Sequence, residues 1–351
     1  MTLASLNPVA LKPCLVLGTG FHSWVLGARA QKSPMGSWHV LLDEVARMMG
    51  VSWSPGCGEN PIFLWEKILH IAAQDGYFRK VKQVPCWAEA GRRKAYQIEL
   101  DAKAAVAVIL NSSIADYPNC SVRSLLPMRE QWGAVLSLNF EAAWLQGAQK
   151  TYTDAVSTEA LHGLQKAERK RLSVFKLANG KRIWFPNGMV DDSATLRLGL
   201  RDFGLQPSEI RFGFNLLKQF ERNNFPKKVN TTAAVDWSVS GAMIEDYLDH
   251  NNQSPNPPLT WVADFIYRPL IFAGVALSQE ELGLWWLLNQ RQRNFAHLNY
   301  KDIPSAYVLI QQNDPRISFW QSHPFGVKPL VCSNWDQGWK MVEELIEKLS
   351  C

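Results

Sequence analysis

Residues 133–144 read GAVLSLNFEAAW. A small apolar run, Ala134 to Leu136 behind Gly133, goes straight into Ser137-Leu138-Asn139-Phe140-Glu141. Such a run has the length and apolar density of a strand buried on both faces, as strands of parallel sheets are. It stops abruptly at an amide side chain, Asn139. In open parallel sheets, ligands lie outside the carboxyl ends of the strands. Asn139 therefore has two readings here: a helix N-cap, or a group that faces a ligand.

The same strand-then-helix rhythm recurs along the chain. CLVLGTGFHS (14–23) is an apolar strand ending in the turn Gly18-Thr19-Gly20. GSWHVLLDEVARMMG (36–50) has Trp38, Leu41, Leu42, Val45 and Met49 at helical spacing, with Ser37 to cap it and Gly50 to end it. A second amphipathic helix starts with Pro61 in its first turn, and DAKAAVAVILNSS (101–113) reads as a third. Residues 76–96 read as basic and irregular, and 150–172 as polar helix or loop. VFKLANGKRIWF (174–185) is a hairpin signal about Asn179-Gly180, and it leads to Pro186-Asn187-Gly188. The pattern is helical from about 205 to 255. RPLIFAGVALS (268–278) is a buried strand, and Ser278 with Glu281 reads as the capping box of the long helix after it. SAYVLIQQ and KPLVC are two more strands before a last amphipathic helix. This alternation predicts an α/β fold, with a Rossmann-like, mostly parallel sheet, helices on both faces and a helical subregion. We expect one domain over 1–351, with a core at about 11–50, 131–204 and 260–351 and helical elaborations at about 51–130 and 205–259.

Composition narrows the function classes. The chain has 351 residues and 47% apolar content, an ordinary globular balance. No apolar run reaches transmembrane length, and the N-terminus lacks a basic segment before an apolar core, so we expect a cytoplasmic protein with no membrane role. The six cysteines form no C-x-x-C pair, which argues against a four-thiolate zinc site; they read as small buried hydrophobes, and no metal is expected. The net charge of +5 is mild, and the basic clusters at Arg79–Lys82, Arg92–Lys94 and Lys166–Arg171 read as solvated faces, so direct nucleic-acid binding is not expected. Fifteen tryptophans are many for this length, and tryptophan is enriched at interfaces, which suggests a partner.

Gly18-Thr19-Gly20 invites comparison with a dinucleotide fingerprint, but Ser23 stands where the third glycine belongs, and no ribose-binding acid follows at the usual distance. That makes a hydride-transferring oxidoreductase a poor fit. The turn's physical meaning survives: small residues let backbone N–H groups approach a phosphate at a helix start.

Four pieces in order, VLGTGFHSWVLG, VLSLNFE, WFPNGMVDD and LIFAGVALSQEELGLWWLL, resemble the sirtuin-like family, in particular its divergent prokaryotic branch in antiphage defence. The resemblance spans roughly residues 14–335. It implies that Gly18, Thr19, Gly20 and Phe21 stand where that family's G-A-G turn holds the phosphates of NAD. It sets Ser137-Leu138-Asn139-Phe140-Glu141 on the family's T-x-N-x-D strand end, with Asn139 as the catalytic asparagine and Glu141 replacing Asp. Gly274 to Ser278 correspond to a segment that closes around the adenosine, and Trp38 to the helix after the first turn. Where the family has a catalytic His before a Gly, this chain has Asn187-Gly188. An amide cannot act as a base near neutral pH. His22 is a candidate to replace that function, and the H-G pair at His162 a weaker one.

The function implied is cleavage of NAD to nicotinamide and ADP-ribose by a subunit of an antiphage defence system, controlled by a regulatory or effector subunit or by self-oligomerisation. The alternative is a catalytically degenerate nucleotide-binding or scaffold subunit. The expectation that tests both is geometric: the first turn, Asn139, Asn187-Gly188 and Gly274 must meet in one cleft.

Overall fold

The computed structural model describes residues 11–54, 59–74, 89–118, 123, 126–145, 157–159, 170–172, 175–178, 181–224, 260–275, 277, 281–297, 305–322 and 324–350. They contain one eight-stranded sheet, with strands β1 (Cys14–Leu17), β2 (Ala134–Ser137), β3 (Ser157–Glu159), β4 (Phe175–Ala178), β5 (Lys181–Trp184), β6 (Leu270–Ala273), β7 (Ala306–Gln311) and β8 (Val327–Cys332). Their order is β3-β4-β5-β2-β1-β6-β7-β8. The six from β5 to β8 in that order pair in parallel, while β3 and β4 pair antiparallel at one edge. Counting the parallel strands alone gives the order 3-2-1-4-5-6 of a doubly wound, Rossmann-like sheet. In register, Leu17 of β1 lies between Ser137 of β2 and Ala273 of β6, so these three strands end level.

The chain crosses to β6 after covering one side of β1, so β1 and β6 form the switch point where connections depart in opposite directions. Helices cover both faces: α1 (Thr19–Leu26), α2 (Trp38–Met48), α3 (Pro61–Gln74), α4 (Glu89–Ile114), α5 (Leu200–Asn224), α6 (Trp261–Tyr267), α7 (Leu282–His297), α8 (Ile317–Ser322) and α9 (Trp335–Ser350). The period of two in the strands assigns side chains to the two sides. Leu15, Leu17, Val135 and Ile271 enter one core with α1 to α4 and α9, whereas Cys14, Val16, Leu136 and Phe272 enter the other with α5 to α8. A Leu fully buried in this way contributes about 1.5–3 kcal/mol. Continuous apolar runs rather than alternation are therefore what this sheet requires of its strands.

Local signals explain the helix ends. Ser37 accepts a hydrogen bond from the Val40 amide at 3.5 Å, and Gly50 closes α2 at φ +66°. Asn60 Oδ1 accepts from the Ile62 amide at 2.9 Å, with Pro61 at the first helical position. The 51–130 elaboration supplies α3 and α4, which pack on α2 and against each other; α5, from the second elaboration, packs on α6 and α7 across the sheet.

Several expectations are corrected. The helix expected at 101–113 begins at Glu89, inside the stretch read as irregular, because the basic residues 92–94 obscure its apolar period. Part of the polar segment at 150–172 is a strand, β3, whose three residues are too few to show a pattern. The helix expected near 205 starts at Leu200 and carries Pro207 inside it. The long helix after β6 begins at Leu282 with Glu281 just ahead, later than a Ser278 cap places it; Ser278 itself lies outside the described residues. Arg171, read as part of a solvated basic face, is buried, whereas Lys166 and Arg169 of that cluster, with Arg79, Lys80 and Lys82 of the other, lie outside the described residues. Cys14 and Cys332 are buried and free, and burial pushes both thiols up. The other cysteines lie outside the described residues. Among the described helices none is long and apolar enough to cross a membrane.

Lys181 gives the fold a measurable pH signature. Its ammonium, at the start of β5, donates to the carbonyls of Met128 and Arg129. Burial, reinforced by the charge of Lys12 and opposed by Glu130, lowers its pKa from 10.5 to about 8. Between those two values the unfolded chain holds a proton that the native chain has released, so stability rises with pH across that window. Below it the penalty of a buried charge is fully present. Denaturant unfolding at pH 7.5 and 10 should show the wild-type protein gaining on the order of 2 kcal/mol over a Lys181→Met variant across the interval. Parallel pH profiles for the two proteins contradict this.

Candidate functional site

The carboxyl ends of β1, β2, β5, β6 and β7 open into one cavity of about 690 Å³. That volume lies in the ordinary range for a small-molecule or cofactor site. Its floor is Gly18-Thr19-Gly20 after β1 and Gly274-Val275 after β6. Trp38, Leu138, Asn139 and Asn187 form one side, and the loop after β7, Gln311 to Arg316, forms the other with Trp335. Asn60, Ile62 and Phe203 close over it from α3 and α5.

The floor is built by two loops in very close contact. The Gly18 amide donates to the Ala273 carbonyl at 3.2 Å, and the Gly20 amide to the Gly274 carbonyl at 2.9 Å. A Cβ on Gly18 would stand 2.4 Å from the Gly274 oxygen, and one on Gly274 would stand 2.2 Å from the Phe21 nitrogen. Gly274 also has φ +64°, in the left-handed region. So the glycines serve first to let the loops interlock at the switch point. The Gly20 and Phe21 amides are already used within these loops, Phe21 donating to Gly18 at 3.0 Å. What α1 offers an anion from this floor is the positive end of its helix dipole.

Asn139 does not cap a helix. The Ser137 hydroxyl donates to the carbonyls of Asn139 and Glu141 at 3.3 and 3.4 Å, holding the segment after β2 in a tight, irregular turn. The Asn139 carboxamide points to the first turn instead: its Oδ1 accepts from the Thr19 hydroxyl at 3.1 Å. Its Nδ2 is buried without a protein partner, and the residue is 8% exposed. A buried donor left unmade is destabilising by about 1–3 kcal/mol and calls for an explanation.

Asn187 is held differently. Its Nδ2 donates to the Leu138 carbonyl at 2.9 Å, its Oδ1 accepts from Arg197 Nη1 at 3.0 Å, and its carbonyl accepts from the Arg197 amide at 2.8 Å. The side chain therefore braces the turn that carries Asn139. Behind it lies a buried charge network. Arg197 and Arg171 share Glu209, at 2.5 and 3.0 Å, and Arg171 also meets Asp202 at 2.7 Å, which Lys103 reaches at 2.7 Å. Burial lowers the Arg197 pKa to about 10, an effect that Glu209 opposes. Burial pushes the Asp202 carboxyl up, but Arg171 and Lys103 outweigh it and hold it below its usual range.

His22 and Glu141 do not reach the main cavity. His22 is 0% exposed, behind the floor on α1, with Nδ1 3.1 Å from the Tyr117 hydroxyl. Its Nε2 is 2.7 Å from Glu141 Oε1, an ion-pair distance, although the carboxylate lies too far off the ring N–H axis for a hydrogen bond. Burial and the charge of Glu141 raise the Tyr117 pKa, so its hydroxyl stays protonated. Glu141 lines a separate crevice of about 30 Å³, which shares Thr19, Trp38, Leu138 and Asn139 with the main cavity.

Of the residues expected at the site, Gly18, Thr19, Gly20, Trp38, Asn139, Asn187 and Gly274 line the one cavity. Phe21 turns into the core, its ring 6.0 Å from that of Trp339. Gly188, at φ +90° and packed on the Thr195 carbonyl, shapes the turn that presents Asn187. Ser278 and His162 lie outside the described residues. The wall after β7 was not anticipated. Gln311, Asn313, Asp314 and Arg316 follow the apolar run YVLI, the same strand-end signal that drew attention to Asn139. There Asp314 takes both Nε and Nη2 of Arg316, at 3.0 and 2.7 Å, and the guanidinium holds its carboxyl below the usual range.

No family model matches the chain, and no curated protein matches it. The likeness to sirtuin-like proteins therefore rests on the quoted residues and their order.

Proposed function

We propose that this cavity binds NAD and that the chain cleaves it to nicotinamide and ADP-ribose. The observation that carries the reading is the meeting of Thr19 and Asn139 at the switch point of a doubly wound sheet, 3.1 Å apart in one cavity. In this reading the pyrophosphate lies over the Gly18–Gly20 floor at the positive end of α1. The adenosine extends toward the polar wall of Gln311, Asn313 and Arg316, with Trp335 beside it. The nicotinamide ribose lies against Asn139, whose Nδ2 finds in a ribose hydroxyl the partner that the protein does not supply.

Loss of nicotinamide leaves a cation-like ribosyl group, and the leaving group departs neutral. Positioning and fixed dipoles can supply much of the barrier reduction for such a step. Asn139 is suited to this because its turn is fixed by Ser137, Asn187 and the Val190 amide, which donates to the Phe140 carbonyl at 2.9 Å. The test is nicotinamide release by the purified chain beside Asn139→Ala. Removing one preorganised donor lowers kcat by about 100- to 1,000-fold. A variant that cleaves NAD at the wild-type rate excludes Asn139 from the chemistry.

An enzyme that depletes NAD harms its own cell, so we expect a second protein or self-assembly to hold it inactive in the cytoplasm until infection. The alternative, a nucleotide-binding or scaffold subunit without chemistry, is favoured by one observation: Asn187, at the expected histidine position, is committed to bracing, and no histidine among the described residues lines the cavity.

A further inference from the structure

We infer that the crevice beside the cavity seats the attacking water, with Glu141 as the group that takes its proton. This rests on the reading of the cavity as a site of NAD cleavage. One buried donor there, Asn139 Nδ2, has no hydrogen-bond partner, and Glu141 Oε1 meets only His22 Nε2, in an ion pair at 2.7 Å. Asn139 and Glu141 line the crevice, and His22 lies directly behind Glu141. Glu141 is 3% exposed. Apart from Thr19, whose hydroxyl is given to Asn139, the rest of the lining is largely apolar, including Met35, Leu41 and Leu110, with the Phe140 ring held against Trp38 at 5.6 Å. A water molecule can enter about 30 Å³ of this crevice, which is room for an ordered water. A buried donor without a partner, beside a carboxylate and a space that water can enter, is what an ordered water satisfies.

The geometry gives each group a distinct task. Asn139 Nδ2 carries two hydrogens, one for the ribose hydroxyl and one for the water oxygen. The water oxygen bonds to the anomeric carbon as the carbon–nitrogen bond to nicotinamide breaks, and that bond's electron pair returns to the ring nitrogen. The water proton passes to the Glu141 carboxylate, and from there to solvent when the products leave. His22 is a positioning residue: held by Tyr117 on one side, it fixes the carboxylate from the other. A glutamate thereby supplies the proton acceptor beside a cavity whose expected base position is an asparagine.

Two readouts on NAD test this. Glu141→Gln keeps the shape of the side chain but cannot accept the proton; kcat should fall about 100-fold or more while NAD affinity, by calorimetric titration, stays within about twofold. His22→Gln should lower kcat with KM unchanged. A Glu141→Gln variant with near wild-type kcat overturns the inference while leaving NAD cleavage intact. A wild-type chain that releases no nicotinamide overturns the cleavage reading itself, and this inference with it.

Discussion

Gly274→Ala should be among the most damaging single-atom additions to this protein, with a loss of more than about 3 kcal/mol of stability. The residue has φ +64°, and its new Cβ would meet the Phe21 nitrogen at 2.2 Å and the Gly20 carbonyl carbon at 2.6 Å. Both are backbone atoms of the first turn of α1, so no side-chain rotation relieves the contact. Either the β6 loop or the start of α1 must move, and those two loops are the cavity floor. Gly50 provides the control. Its φ is +66°, yet nothing lies within 4 Å of its Cβ position. Gly50→Ala therefore feels only the backbone preference, about 1–2 kcal/mol. Urea unfolding of both variants separates conformational strain from packing. Equal losses would mean that the interlock at the switch point is unimportant.

Glu209→Ala should remove about 3–5 kcal/mol of stability. Its carboxylate lies between two guanidiniums, those of Arg171 and Arg197, that are 2% and 1% exposed. Their remaining charge partner is Asp202, which already serves Lys103. Lys103 also meets Glu99 at 2.8 Å, so the group has three cations and three carboxylates; taking Glu209 from it leaves positive charge without compensation in a low-dielectric interior, the case in which a buried pair is most costly to break. Arg197 also holds Asn187, and Asn187 holds the Leu138 carbonyl, so the disturbance reaches the turn carrying Asn139. The contrasting variant is Glu343→Ala. Glu343 pairs with Arg129, but both side chains are about one-third exposed. Its loss should be under about 1 kcal/mol, as for exposed pairs generally. Thermal unfolding of the two variants side by side decides whether the buried network is structural in the way described.

The strands around the switch point were legible because burial on both faces leaves an unmixed apolar run, and CLVL, AVLS and LIFA are short enough to be nothing else in an alternating chain. Asn139 was legible for the complementary reason: a polar side chain stands where such a run stops. The same logic applied to YVLIQQNDPR would have found the opposite wall of the cavity. What the sequence concealed depends on distant partners. His22 faces the core because Tyr117, 95 residues away, covers it. Arg171 looks like one of a run of surface bases until α5 brings Asp202 and Glu209 against it, 31 and 38 residues on. The glycine turn was read for what it offers a phosphate. Its tighter constraint, contact with Gly274, comes from a strand more than 250 residues later that is adjacent only in the folded sheet.

The most direct measurement is a crystal structure of the Asn139→Ala chain grown with NAD, the substitution keeping the dinucleotide whole. The account predicts NAD in the cavity between β1 and β6, its pyrophosphate over Gly18–Gly20, its nicotinamide ribose at position 139 and its adenosine toward Gln311 and Trp335. An empty cavity at saturating NAD, or NAD bound with its ribose away from position 139, contradicts it.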